Sequence, residues 1–139
     1  MSGFWWAALT ACVWGLVPLL EKVGLSQADP TIGVLARSLG VLAGVALVCL
    51  TTSPWRALGS LGLRSFGLLA LGGFLASFVG QMMFYRALKS SQISYVTPIA
   101  GAYPLVAVFL GWWVLREPLS AARLCGAAMI IAGVWLLGR

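Results

Sequence analysis

The stretch VWGLVPLLEKVGL, Val13–Leu25, decides how the rest of the chain is read. It is uncharged up to Glu21, carries Pro18 in its interior, and closes on two adjacent charges, Glu21 and Lys22. A helix in water gains nothing from such a surface. In a bilayer the apolar residues meet acyl chains, and an internal proline is tolerated where protein or a wet cavity covers the carbonyl it frees.

Working outward, the same plan repeats. Of 139 residues, 61% are hydrophobic and 9% charged, and histidine is absent. A water-soluble domain carries about a quarter of its residues charged. A membrane-spanning helix needs roughly 20 apolar residues. Turn residues and charges cut the chain into five such runs, at about 4–24, 31–50, 65–85, 93–115 and 120–138. The expected fold is therefore all-α, a polytopic membrane protein in which 1–139 form one unit, a bundle of five transmembrane helices. The linker after the second run, with Arg56, Gly59, Ser60, Gly62 and Arg64, is the one long connection and suits the interface.

The net charge of +6 comes from basic residues spread singly among apolar runs. That suits juxtamembrane anchoring in the lipid bilayer and lacks the basic footprint of a nucleic-acid partner. Cys12, Cys49 and Cys125 show neither C-x-x-C nor metal spacing and read as buried structural thiols, so no metal or cofactor is expected. Leu9-Thr10-Ala11-Cys12 looks like a lipoprotein cleavage box. No Lys or Arg precedes it, however, and the apolar run continues past Cys12, so no cleavage is expected.

Five crossings put the termini on opposite faces. Lys22, Arg86, Lys89 and Arg139 fall on the C-terminal face, with Arg37 nearest it, and Arg56, Arg64, Arg116 and Arg123 on the other. Orientation follows Lys/Arg excess in short loops. Here the two sides nearly balance, so neither orientation is favoured. Trp5, Trp6, Trp55, Trp112 and Trp113 gather toward the N-terminal face as an aromatic belt. Trp14 lies roughly 15 Å into the first helix, near the midplane, where belt duty does not explain it.

Polar stripes single out candidate residues. Thr10, Trp14, Pro18 and Lys22 recur every fourth position and share a helix face. Pro18 leaves the Trp14 carbonyl without its helical donor, which makes either a polar point in a cavity or a kink shaped for packing. Ser77, Gln81, Tyr85 and Lys89 repeat that spacing on the third run. Such a stripe turns inward, for passage or as interhelical hydrogen-bonding glue. Pro98 and Pro104 free the carbonyls of Ser94 and Ala100 in the fourth run, with Thr97 and Gly101 on the Pro98 side and Tyr103 nearby. Broken helices at mid-membrane are a transporter feature. Arg37, roughly 9 Å into the second helix, either snorkels to the interface or pairs with Glu21. No Asp or Glu sits in the central half of any run, so if the chain is a transporter Glu21 is its one candidate for a titrating coupler, or it has none. Small-residue rows, Ala36-Gly40-Gly44 and Ala122-Gly126-Gly133, allow close packing within a subunit or between subunits.

WGLVPLLEKVGL, the following Asp29-Pro30 and Arg37, then FYRALKSSQISYVTPIAGAYPLVAVFLGWWVLREPLS and GAAMIIAGVWLL, resemble in order the EamA-type members of the drug/metabolite transporter superfamily. Typical members carry two five-helix units, and this chain resembles the short single-unit form. The resemblance implies export or exchange of small metabolites across the cell membrane, the bacterial inner membrane, through a cavity lined by the first, third and fourth helices. By match it implicates Trp14, Pro18, Lys22, Tyr85, Pro98 and Tyr103. With the stripes, the expected substrate-binding set is Trp14, Pro18, Lys22, Ser77, Gln81, Tyr85, Pro98, Gly101 and Tyr103, with Glu21 and Arg37 as coupling or ion-pair residues. Trp14 would stack or gate, Gln81 and Tyr85 would hydrogen-bond substrate, and Lys22 and Lys89 would attract anionic groups.

The expected mechanism is alternating access, in a homodimer with dual topology or a heterodimer with a homologous unit. Alternatives are a flippase for a lipid-linked precursor and a non-transporting subunit that stabilises a partner. An enzyme is not expected, since no histidine, midspan carboxylate pair or nucleophile–base pair is present.

Overall fold

A computed structural model describes residues 3–137, without the side chain of Arg56. All regular structure in the described residues is helical: α1 Gly3–Gly24, α2 Pro30–Thr52, α3 Trp55–Gly59, α4 Leu63–Phe74, a π-helical segment Leu75–Gly80, α5 Gln81–Ser90, α6 Ile93–Ala100, α7 Tyr103–Trp113 and α8 Ala121–Leu137. Four helical stretches are long and apolar enough to cross a membrane: Gly3–Gly24, Pro30–Thr52, Leu63–Ser90 and Ile93–Trp113. The last helix, Ala121–Leu137, is apolar and shorter, at 17 residues. The expected end of the fifth run at Gly138, and Arg139, lie outside the described residues.

The chain divides into two compact units, residues 1–89 and 90–139. In the first, the 23-residue α2 starts in the way its sequence dictates. Asp29 is the N-cap and accepts a hydrogen bond from the Thr31 amide at 3.0 Å, while Pro30 occupies the first turn, where no amide hydrogen is needed. Those Thr31 hydrogen bonds hold the Asp29 carboxyl below the ordinary aspartate range. At its far end α2 closes on Ser53 with a left-handed backbone, φ 44°, just before Pro54. The long linker holds a five-residue helix, α3, opening on Trp55.

The third crossing departs most from its expected bounds. It continues beyond Tyr85 through Arg86 and Lys89 to Ser90. Long basic side chains can snorkel from a helix that carries on past them. It is also not uniform, because Leu75–Gly80 adopts π geometry between α4 and α5. A π turn inserts an extra residue into the helical register and is frequent where a helix serves a site. Gln81 follows it directly.

The core of the first unit is small and sits where α1, α2 and α5 meet. Leu25, Val34, Tyr85 and Leu88 are buried there, with Pro18. Gly33 is what lets Tyr85 in. A Cβ at Gly33 would stand 2.6 Å from Leu25 Cδ2 and 2.9 Å from Tyr85 Cε2, well inside contact distance. Elsewhere on the spans apolar side chains lie on the surface, Leu50 at 84% and Leu63 at 87% exposure among them. Acyl chains, not water, are the solvent such a surface requires. The same fact corrects the reading of the cysteines: Cys12 and Cys125 are exposed and Cys49 is half-buried. Apolar sequence cannot separate a lipid-facing position from a protein-facing one, and a thiol tolerates both.

In the second unit, α6 and α7 both pack against α8. The fourth run is broken as its prolines predict, but the break falls between Ala100 and Tyr103. Pro104 lies in the first turn of α7, where its missing amide costs nothing. Pro98 stays inside α6, which closes with the Gly101 amide donating to Thr97 O at 2.7 Å.

Candidate functional site

The polar residues of the first unit converge on one carboxylate. Glu21 stands near the end of α1, and Gln81 and Tyr85, four apart on α5, turn the same face toward it. Gln81 Nε2 donates to Glu21 Oε1 at 2.8 Å, and the Tyr85 hydroxyl donates to the same oxygen at 2.9 Å. From α2, Arg37 Nε approaches Oε1 at 3.5 Å. The Glu21 side chain is 10% exposed and that of Arg37 32%.

This geometry is lopsided. All three contacts fall on Oε1, and none of them reaches Oε2. The guanidinium approach is longer than the roughly 2.7–2.9 Å of a charge-assisted hydrogen bond and is not a two-pronged fork. Arg37 Nη1 is enclosed and has no hydrogen-bond partner. Leaving a buried donor without an acceptor costs about 1–3 kcal/mol, so the arrangement holds the carboxylate firmly and the guanidinium loosely.

An open groove of about 570 Å³ lies beside the cluster, lined by Glu21, Arg37 and Tyr85 together with apolar and small residues of α1 and α2. That volume suits a small solute. Among the groove residues, only Glu21 and Arg37 carry charge.

Two lysines tie the same helices together. Lys22 Nζ donates to the Leu88 carbonyl, and Lys89 Nζ donates to Ala28 O at 2.7 Å. A cation on a carbonyl in the last turn of α5 also meets the negative end of the helix dipole.

The remaining candidates are placed as follows. Pro18 is buried, Ser77 is half-buried in the π segment, and Trp14 lies on the surface of α1, 59% exposed. The Thr10 hydroxyl folds back onto Trp6 O at 2.8 Å, within its own helix. Pro98, Gly101 and Tyr103 belong to the second unit, at the interior of α6, its C-cap and the start of α7. Tyr103 is exposed, and Thr97 Oγ1 is enclosed without a hydrogen-bond partner. The structure thus brings Glu21, Arg37, Gln81 and Tyr85 together.

Sequence reasoning missed Gly33 and the π segment. Gly33 extends the Ala36-Gly40-Gly44 row by one step and stands four residues before Arg37, so its signal was there to be read. It missed as well a second acid–base pair, Glu117 Oε2 with Arg123 Nη1 at 3.6 Å, in the second unit. Among the described residues no group of three metal-binding side chains occurs.

Comparison with known proteins places these features in a family. The EamA-like transporter family matches residues 1–139. An uncharacterised transporter in the cobO 3' region of Sinorhizobium sp is 30% identical over 139 residues, covering 99% of this chain and 98% of the relative. Protein LicB of Haemophilus influenzae is 25% identical over 138 residues, and there the chain spans about half of the relative, 47% of its length. No solved structure matches. With a match from end to end, and a transporter relative aligned over nearly its whole length, the chain is a multi-pass membrane-transport protein, not an enzyme, and belongs to the EamA-like transporter family.

Proposed function

We propose that the chain moves small metabolites, by export or exchange, through alternating access around the Glu21 cluster. The observation that carries this reading is a membrane-helix carboxylate held by Gln81 and Tyr85 at the edge of a groove of about 570 Å³. Intramembrane ionisable groups are costly and mark substrate or ion pathways. In this reading Gln81 and Tyr85 act on the substrate through Glu21, which they orient. Lys22 and Lys89 hold helices together; they do not collect anions. Pro18, Ser77, Pro98, Gly101 and Tyr103 serve helix bending and lining, and Trp14 gates from the face of α1.

The assembly we propose is a pair of five-crossing units in a bacterial inner membrane, antiparallel copies of this chain or this chain with a homologue. Ala121–Leu137 would be the fifth crossing, about 25 Å long at 1.5 Å per residue. Support comes from the balanced Lys/Arg distribution, from a relative about twice as long, and from open small-residue rows. A Cβ at Gly40, Gly44, Gly126 or Gly133 would meet nothing within 4 Å, leaving room for a partner's backbone.

The test compares metabolite pools of cells with and without the chain, and with Glu21→Gln or Gln81→Leu. Transport predicts a shifted pool that either variant returns to baseline. A non-transporting subunit predicts that these variants behave as wild type while changes in the glycine rows abolish the phenotype, and that result would overturn the proposal. A reporter fused at the C-terminus and found on one side only would count against antiparallel copies.

A further inference from the structure

We propose that the apolar groove between α2 and α3 binds one anionic phospholipid, with an acyl chain in the groove and the phosphate at the arginine-bearing corner where α3 leads into α4. The inference does not depend on the transport reading.

The shape of the groove argues for the chain. It holds about 600 Å³, and every residue lining it is apolar, among them Val41, Gly44, Val45 and Val48 of α2 and Trp55 and Leu58 of α3. The α2 residues recur at steps of three and four, which is one stripe along a helix. From Val41 to the end of α2 at Thr52 the helix rises about 16 Å at 1.5 Å per residue. Half of a hydrocarbon core of about 30 Å is close to that length, so the groove runs the depth of one leaflet. A Cβ at Gly44 would meet nothing within 4 Å, which lets an acyl chain lie against the backbone there. Trp55, 63% exposed, stands where the crossing ends, as an interfacial tryptophan does.

Charge at the mouth selects the headgroup. Arg56 belongs to α3 and Arg64 to the first turn of α4. Three residues separate the two helices, and the Leu61 amide donates to Leu58 O at 3.2 Å across the turn. Arg64 is exposed and, among the described residues, has no hydrogen-bond or ion-pair partner. The surrounding sequence offers no counter-charge, since no Asp or Glu occurs from Pro30 to Arg116. The hydroxyls of Thr51, Thr52 and Ser60 are already committed to the carbonyls of Leu47, Val48 and Ala57. The first turn of α4 adds to the same sign, because Gly62 gives it no side-chain cap and it holds no acid. An anionic lipid supplies the missing charge, as basic residues at a membrane surface require. A zwitterionic lipid would fill the groove but bring its own ammonium to the corner. A second copy of the chain would bring nine basic residues against three acidic ones. Free phosphate would leave the groove empty.

The test places the purified full chain in phosphatidylcholine vesicles doped with a trace of phosphatidylglycerol or of phosphatidylcholine, each carrying the same photoreactive acyl chain. Adducts are mapped by peptide mass spectrometry. Relative to the other spans, the phosphatidylglycerol probe should label residues 41–58 at least about fivefold more than its zwitterionic twin, and roughly 25-fold if both arginines act, at about fivefold each. Unlabelled phosphatidylglycerol should compete, and inorganic phosphate should not. Arg56→Gln combined with Arg64→Gln should bring the anionic probe down to the level of the other, while Gly44→Leu should exclude both probes from the groove. The wild-type comparison decides even if a variant fails to fold. A preference below about fivefold, one that survives loss of both arginines, or competition by inorganic phosphate would overturn the lipid site. So would a segment that neither probe labels while the other spans are labelled, the result that a second copy covering the groove would give.

Discussion

Glu21–Arg37 and Glu117–Arg123 are the same chemistry at nearly the same separation, 3.5 and 3.6 Å, in the two units of one chain. Their surroundings differ. Glu21 is 10% exposed and is held by two further donors from α5, whereas Glu117 and Arg123 are each 53% exposed. The outer pair follows from its turn. Arg116 has a left-handed backbone, φ 55°, the Glu117 amide donates to Gly111 O, and Arg123 Nη1 also donates to Pro118 O. Distance between charges is therefore a poor guide to what a pair does. Enclosure and the number of supporting donors decide it, since solvent screens the open pair much more than the partly enclosed one.

The comparison breaks most readily at Arg37. Arg37→Ala leaves the Glu21 carboxylate without its counter-charge, and removing one member of an enclosed pair costs about 3 kcal/mol. Detergent-induced unfolding of the purified protein in mixed micelles should show that loss. A loss below about 1 kcal/mol would put this pair in the class of open ones. Next comes Gly33→Ala. The added carbon meets Leu25 Cδ2 at 2.6 Å and the Tyr85 ring at 2.9 Å, and both side chains are buried. Overpacking of that kind costs about 1–3 kcal/mol, and the same unfolding curve reads it. Gly67→Ala serves as the control, because its Cβ meets nothing within 4 Å and it lies in neither the glycine rows nor the groove. Tyr85→Phe should cost less, about 1 kcal/mol, because one of two neutral donors is lost while the ring stays seated. Its sharper readout is uptake, which should fall while the unfolding curve moves little.

How much of this was legible beforehand depended on what kind of fact it was. Four long apolar runs were readable because hydrocarbon enforces length and excludes charge. The fifth run forms a shorter helix of 17 residues, and a snorkelling Arg86 and Lys89 let the third continue to Ser90. The break of the fourth run was readable from Pro98 and Pro104, since a missing amide has a local consequence. Gln81 and Tyr85 were readable as an inward face, because polar side chains do not face lipid without cost. That both would meet Glu21 was not. Which polar groups on different helices pair is a matter of register between them, and the π segment at Leu75–Gly80 shifts that register. Gly33 escaped for a related reason. Its importance lies in what stands opposite, a tyrosine ring more than fifty positions away in sequence.

The smallest expected effect tests the comparison from its other side. Glu117→Gln removes the charge of the outer pair while keeping the shape of the side chain and one acceptor. Arg123 Nη1 retains its hydrogen bond to Pro118 O at 3.0 Å, so the variant strands no buried charge. The unfolding free energy should change by no more than about 0.5 kcal/mol, and added salt should erase even that. Uptake in vesicles should match the wild type. If Glu117→Gln instead lowered stability as far as Arg37→Ala does, enclosure would not be what separates the two pairs. The weight placed on Gln81 and Tyr85 would then have to move to something the pairs share, namely a carboxylate and an arginine drawn together where a crossing ends.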